Sequence, residues 1–258
     1  AELPLAESIP IAFGSTRTGP RSIRWRADAD ATLFWAEAQD GGDAGAPANV
    51  RDRLFLHAAP FTSAPTAWAD LPLRFSGLTW GDGQTALAYE YEWSTRLQRT
   101  YRVRPDAPQT APELLFERSS EDRYTDPGSP MTEANERGFS TLLLDDNAIF
   151  LSGQGASAEG NRPFVRRMDL DSKETTELFR SQAPYYESPV AFLDVGERLL
   201  TRRETVVDPP NYFARDLSSG DMTAVTDFPH PYPNLRDIQK ETIEYTRADG
   251  VPLTATLY

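Results

Sequence analysis

The sequence predicts an all-β fold on three observations. Four segments repeat a short apolar strand, a tight polar turn and a second apolar strand. Each is followed by a second pair of β-rich runs, and no stretch of roughly 10 to 12 residues sustains helical periodicity. One four-stranded antiparallel sheet per period, repeated along the chain, is the pattern of a β-propeller blade.

The hairpins are SIRWRADADATLFWAEA from Ser22, SGLTWGDGQTALAYEYE from Ser76, STLLLDDNAIFLSGQG from Ser140 and VAFLDVGERLLTRRETV from Val190. Asp, Gly and Asn between β-rich runs supply the backbone conformations that short hairpin loops need. The starts lie about 54, 64 and 50 residues apart, near the long end of known propeller periods. The second pairs are RLFLHAAP with TAWADLP, RTYRVRPD with PELLFERS, FVRRMDLD with TTELFRSQ, and YFARDLSS with MTAVTDF. The prediction is therefore a partial β-propeller of about four four-stranded antiparallel blades over residues 21–233, divided at about 21–75, 76–139, 140–188 and 189–233. A large β-sandwich also reads as short strands with turns, but its loops vary without period.

Both ends read as pieces of something longer. Residues 1–20 are expected to hold the remnant of a preceding blade and a connector, because AELPLAES resembles the fourth strand of a unit, as in TAWADLPLRFS. Residues 234–258 are expected to form a linker and a hairpin turning at Asp249-Gly250. A ring left open would expose unpaired edge strands, so self-association of the isolated chain is expected.

Composition narrows the chemistry. The chain has 258 residues, with 39 acidic and 26 basic side chains, a formal charge of −13, no Cys and two His. That excludes a disulfide framework, a thiolate nucleophile and an iron–sulfur cluster, and argues against a zinc finger. No metal and no cofactor is expected. Nucleic acid is not an expected partner, because phosphate affinity is built from clustered Lys and Arg, which here are scattered among carboxylates. No membrane partner is expected either, since no apolar run approaches the roughly 18 to 20 residues of a span. The N-terminus as written is not a signal peptide, and the compartment stays open between cytoplasmic and periplasmic or secreted.

The predicted strand order places connectors alternately at the two ends of each blade. The longer ones, including QDGGDAGAPANVRD, EWSTRLQR, GASAEGNRP, SSEDRYTDPGSP and SQAPYYESP, are expected on one face, which becomes the candidate binding surface. Candidate substrate-binding residues there are Arg123 for a carboxylate, Tyr124, Tyr185, Tyr186 and Tyr212 for stacking with a hydroxyl handle, and Asn211 for its amide. The structural alternatives are loop-forming Asp126-Pro-Gly and Asp208-Pro-Pro-Asn, Tyr packing at blade junctions, and Arg123 bridging Glu121 or Asp122.

Several stretches carry a family resemblance. TDFPHPYPNLRDIQKETIEYTRADGVPLTATLY resembles the junction where the propeller of prolyl-oligopeptidase-family serine peptidases, in the glutamyl-endopeptidase-like branch, meets the catalytic α/β-hydrolase domain. RTGPRSIRWRADA, ERSSEDRYTDPGSP, QAPYYESPVA and LLTRRETVVDPPNYFARDL resemble the same branch in the same order, so the likeness covers nearly the whole chain. It implies a propeller that covers an active site and restricts entry to short peptides, and a peptide substrate shared with a hydrolase domain of which only the first hairpin is here. The nucleophile elbow G-x-S-x-G is missing from the sequence, and His57 and His230 fall in predicted strand or linker, so no catalytic residue is carried over. For a peptidase cutting after acidic residues, an arginine facing the cleft would pair with the substrate carboxylate, and Arg123, Arg202 and Arg203 are the candidates from matching motifs. In LLTRRETV the last two alternate between sheet faces, where ion pairs within the blade compete for them.

Three readings follow: a non-catalytic propeller segment that gates and positions peptides for a serine peptidase, a stand-alone propeller binding module, and a propeller glycosidase or lectin using Glu121 and Asp122. The last requires two acids about 5 to 10 Å apart across a pocket and ranks lowest.

Overall fold

The computed structural model describes residues 5–236, 238 and 240–257. The predicted strand-turn-strand repeats form four antiparallel sheets, the blades of a partial β-propeller. The first sheet contains β1 (Arg21–Trp25), β2 (Thr32–Ala38), β3 (Asp52–Ala58) and β4 (Thr66–Leu71) in that order. The second contains β5 (Arg74–Asp82), β6 (Thr85–Tyr91), β7 (Leu97–Val103) and β8 (Glu113–Ser119), again in order. There follow β9 (Ser129–Pro130), β10 (Thr132–Ala134), β11 (Ser140–Leu142), β12 (Leu144–Asp145), β13 (Ala148–Gly153), β14 (Phe164–Asp169) and β15 (Thr175–Arg180). Of these, β12 to β15 make the third sheet in order, and β9 also pairs with β13. The fourth sheet orders β16 (Tyr186–Asp194), β17 (Arg198–Glu204), β18 (Asn211–Asp216) and β19 (Met222–Ala224). The expected C-terminal hairpin is β20 (Glu241–Thr246) with β21 (Pro252–Leu257), and Gly250 at φ +88° takes the left-handed position of its turn.

Three expectations are corrected. The closing strand read into AELPLAES is, in its described part, a 3₁₀ turn over Ala6–Ser8 whose Ser8 N–H and hydroxyl both donate to the Leu5 carbonyl; residues 1–4 lie outside the described residues. The single strand expected over STLLLDD is divided, because the chain leaves the sheet edge after Pro130 and returns at Leu143. Met131 N–H donates to Phe150 O at 2.8 Å and Leu143 N–H to Met131 O at 3.0 Å, clamping the base of an inserted hairpin, β10–β11. Loop length does not single out one end of the blades either. In the second sheet the connector 104–112 exceeds 92–96, and 59–65 adds to the same end of the first sheet.

The chain divides into two compact units, residues 1–155 with 166–177, and residues 156–165 with 178–258. In the first unit the apolar faces of the first two sheets close on an aromatic core. Trp68 and Trp80 stack with centroids 5.4 Å apart, and Phe34 meets both edge-on at 6.0 and 5.7 Å. Leu54, Ala36, Ala86 and Ala88 fill the remainder, the small side chains making room for the rings. Leu87, Leu142, Ile149, Leu151, Met168 and Leu170 form a second core in the same unit.

Ionic staples tie consecutive repeats of this unit together. Arg26 holds Asp28 and Asp106, and Arg102 holds Asp171 and Asn147, so the planar fork of arginine bridges two loops at once. The buried Asp52 accepts from Phe75 N–H at 2.6 Å, from Arg74 at 2.8 Å and from Arg21. Glu90, also fully buried, accepts from Leu73 N–H at 2.8 Å, Tyr101 Oη at 3.1 Å and Arg99 at 3.3 Å.

Burial pushes the Glu90 carboxyl above its ordinary range, against the lowering influence of those donors, and burial with Glu90 beside it pushes Tyr101 up to about 12. The folded chain therefore holds the Glu90 proton more tightly than the unfolded chain. Its contribution to stability is present below the ordinary glutamate value and is lost as pH rises through the raised one. Glu90→Gln, which has no proton to lose, is expected to flatten that decline as pH rises above the ordinary glutamate range. Urea midpoints across the range check it, and a slope equal to that of the parent chain would clear Glu90 of the effect.

Candidate substrate-binding site

Among the predicted site residues, Tyr185, Arg203 and Asn211 come together in the second unit. Strand alternation explains the choice. Arg203 lies on the face of β17 that carries the buried Leu199 and Thr201, while Arg202 points to the other face and pairs with Glu204 at 3.2 Å. The 181–185 connector is braced by Ser181 Oγ donating to Tyr185 O at 3.0 Å, and it lays the Tyr185 ring under the Arg203 guanidinium, whose carbon is 3.3 Å from the ring centroid. Phe213 flanks the same guanidinium at 5.6 Å. The Arg203 Nε is buried without a hydrogen-bond partner among the described residues, and Nη1 meets only the Met222 sulfur at 3.7 Å.

Two cavities share Tyr185 and Arg203. One, of about 440 Å³, is lined also by Asp208, Asn211, Phe228 and His230; the other, of about 380 Å³, by Arg180 and Arg215. Arg215 is committed to Glu187, at 2.9 Å, and Glu187 in turn accepts from Thr201 Oγ1 at 2.6 Å. Arg203 is stacked and makes no ion pair among the described residues.

The other nominees divide differently. Asn211 spends its amide internally: Oδ1 accepts from Thr226 Oγ1 at 2.8 Å and Phe228 N–H at 2.6 Å, and Nδ2 donates to Phe228 O at 3.2 Å. It fastens the 226–228 segment rather than presenting an open amide. Tyr186 and Tyr212 are half-buried in β16 and β18 and line neither cavity. In the first unit Arg123 and Tyr124 stand exposed on the 120–128 loop, and Arg123 bridges neither acid proposed for it. Glu121 instead pairs with Arg96 at 3.3 Å. Asp122 is turned inward on the loop, accepting from Thr125 Oγ1 at 2.7 Å and from the Tyr124 and Thr125 N–H groups. Those donors, Thr125 first, hold its carboxyl below the ordinary aspartate range. The acid pair required for glycosidase chemistry is thus a salt bridge beside a turn.

His57 Nε2 lies 2.9 Å from Ser63 O, and His230 Nδ1 accepts from Tyr232 N–H at 3.1 Å, so each imidazole is engaged with local backbone. Among the described residues no group of three or more His, Cys, Asp or Glu is placed to hold a metal.

No family model matches the chain. Its whole length is 41% identical to a segment of the rice protein described as "Probable glutamyl endopeptidase, chloroplastic" and 39% identical to the Arabidopsis thaliana protein of the same description. The chain spans 29% and 28% of the length of these relatives. Among solved structures, dipeptidyl peptidase 4 of Porphyromonas gingivalis aligns at a TM-score of 0.48 and 12% identity, over 95% of this chain and 42% of that one. Oligopeptidase B of Leishmania major aligns at 0.44 and 12% identity, over 94% and 38%. The four-stranded repeats therefore resemble, along the whole length of the chain, part of the two proteins described as glutamyl endopeptidases.

Proposed function

We propose that this segment serves a serine peptidase without performing its chemistry: it restricts entry to peptides, and it helps hold the peptide for a catalytic domain, with a preference for acidic residues supplied by propeller arginines. The full-length similarity to proteins described as glutamyl endopeptidases carries the reading. The unpaired, ring-stacked Arg203 supports the acidic preference, and Arg123 is the second candidate because it is exposed with no carboxylate committed to it. A bidentate pair with a substrate carboxylate is the interaction these groups suit.

The test is the ratio of kcat/KM for matched peptides carrying Glu or Gln at the cleaved position, measured on the full-length protein. Arg203→Ala is expected to lower that ratio by about tenfold or more. A ratio left unchanged by Arg203→Ala and by Arg123→Ala removes both residues from recognition. Failure of the full-length protein to cleave either peptide overturns the peptidase reading itself.

A further inference from the structure

The geometry points to a second peptide-binding site, in the first unit, in which Arg24 takes an acidic side chain while Phe139 holds an adjoining apolar or aromatic residue. It rests on the peptide-ligand reading above, though on different residues. A cavity of about 600 Å³ opens between edge strands β1 and β5 and the inserted hairpin β10–β11, lined by Ser22, Arg24, Trp25, Leu78, Phe139 and Ser140 among others.

A bulge puts the arginine there. In β1, Arg21 stands opposite Ala36 and Arg24 opposite Phe34, so Ser22 and Ile23 together face the one intervening residue, Trp35. Uninterrupted pairing would set Ile23 opposite Phe34 and send Arg24 to the other face, since a one-residue slip reverses the faces of a strand. Ser22 adopts φ +55°, a left-handed conformation that a residue with a Cβ rarely takes. The strand thus holds an unfavourable backbone in order to bring a cation, rather than the available isoleucine, to the apolar side. Strain of this kind concentrates at ligand sites.

Once there, Arg24 finds no carboxylate. It makes no hydrogen bond, ion pair or ring contact among the described residues. In a chain with 39 acidic side chains, whose neighbouring arginines Arg21 and Arg26 are both tied to aspartates, this is a specific omission. The complementary charge is left for a ligand.

The opposite wall is equally built. The hairpin tip is closed by Asn135, whose Oδ1 accepts from the N–H groups of Arg137 and Phe139 at 3.0 Å each. Its Nδ2 reaches the Ala27 carbonyl at 2.9 Å, and Arg137 pairs with Asp30 at 2.9 Å, pinning the tip to the β1–β2 turn. Phe139 is thereby held in place yet 47% exposed, whereas Trp25, opposite Leu33 on the other face of β1, lies against Phe61 at 6.2 Å. A large ring kept in contact with water near a guanidinium that has no partner among the described residues suits a peptide with an acidic residue next to an apolar one. Because β1 and β5 are edge strands, an extended peptide lying along them also meets free main-chain groups.

Calorimetric titration of the 258-residue chain with acetyl-Phe-Glu-amide and acetyl-Phe-Gln-amide tests the site without any hydrolysis. The Glu peptide is expected to bind about tenfold more tightly than the Gln peptide. Arg24→Gln is expected to erase that difference, Arg24→Lys to restore part of it, and Phe139→Ala to weaken both peptides alike. Equal affinity for the two peptides in the parent chain, or a difference that survives Arg24→Gln, overturns the proposal. Circular dichroism melts of the variants confirm that they fold, which the exposed position of Arg24 favours. Since binding and cleavage are read separately, loss of the peptidase reading and loss of this site give different results.

Discussion

Asp52→Ala is expected to lower the free energy of unfolding by about 3 to 5 kcal/mol, the range for removing one partner of a buried ion pair. The carboxylate has no solvent exposure and serves three donors at once: Arg21 from β1, Arg74 from the start of β5 and the Phe75 N–H. Deleting it strands Arg21, whose side chain is 10% exposed and whose Nη1 lacks a partner among the described residues, together with the half-buried Phe75 N–H. Arg74 suffers less because Asp40 still holds it at 2.6 Å. The contrast is Arg53→Gln at the exposed pair with Asp70, where both side chains face water and the change should stay within about 1 kcal/mol. Urea unfolding of the two variants beside the parent chain decides the matter. Equal midpoints for Asp52→Ala and Arg53→Gln would show that Asp52 does not staple the first repeat to the second.

A loss of similar size, about 3 to 5 kcal/mol, is expected for Phe34→Ala. The ring is 1% exposed and sits edge-on between Trp68 and Trp80, with Phe75 at 5.6 Å on a further side. Its neighbours cannot collapse into the space, because Trp68 is anchored by its indole N–H donating to Arg104 O at 3.0 Å and the two indoles are already stacked. The cavity should therefore stay open, which places the cost toward the upper part of the range. Phe34→Leu, keeping most of the volume, should cost clearly less. Denaturant midpoints give the ordering, and near-UV circular dichroism reports whether the indole stack survives. Comparable losses for the two substitutions would mean that the packing relaxes around the site.

The strands were legible because what makes them is local. Short apolar runs such as TLFWAEA and TALAYEY, and turn residues such as Gly83 and Asn147, specify each hairpin from within a few residues. The Asp249-Gly250 turn was readable for the same reason. The inserted hairpin was not. Its signals, Asn135 and Gly138 between short β-rich runs, are those of an ordinary turn, and only pairing with Phe150 and Ala27, far along the chain, shows that one sheet-edge strand has been opened to admit it.

For the candidate sites the division is sharper. Motif order led to arginines as the candidates for the proposed acidic peptide. Which arginine is free to do so is a property of the fold, since a guanidinium is spent or available according to carboxylates brought to it from distant repeats. Arg202 is taken by Glu204, Arg21 by Asp52 and Arg102 by Asp171, whereas Arg203 stacks on Tyr185 and Arg24 meets no carboxylate among the described residues. A single bulge at Ser22 reverses which side chains of β1 face the cavity, and period-two alternation cannot register an interruption of itself.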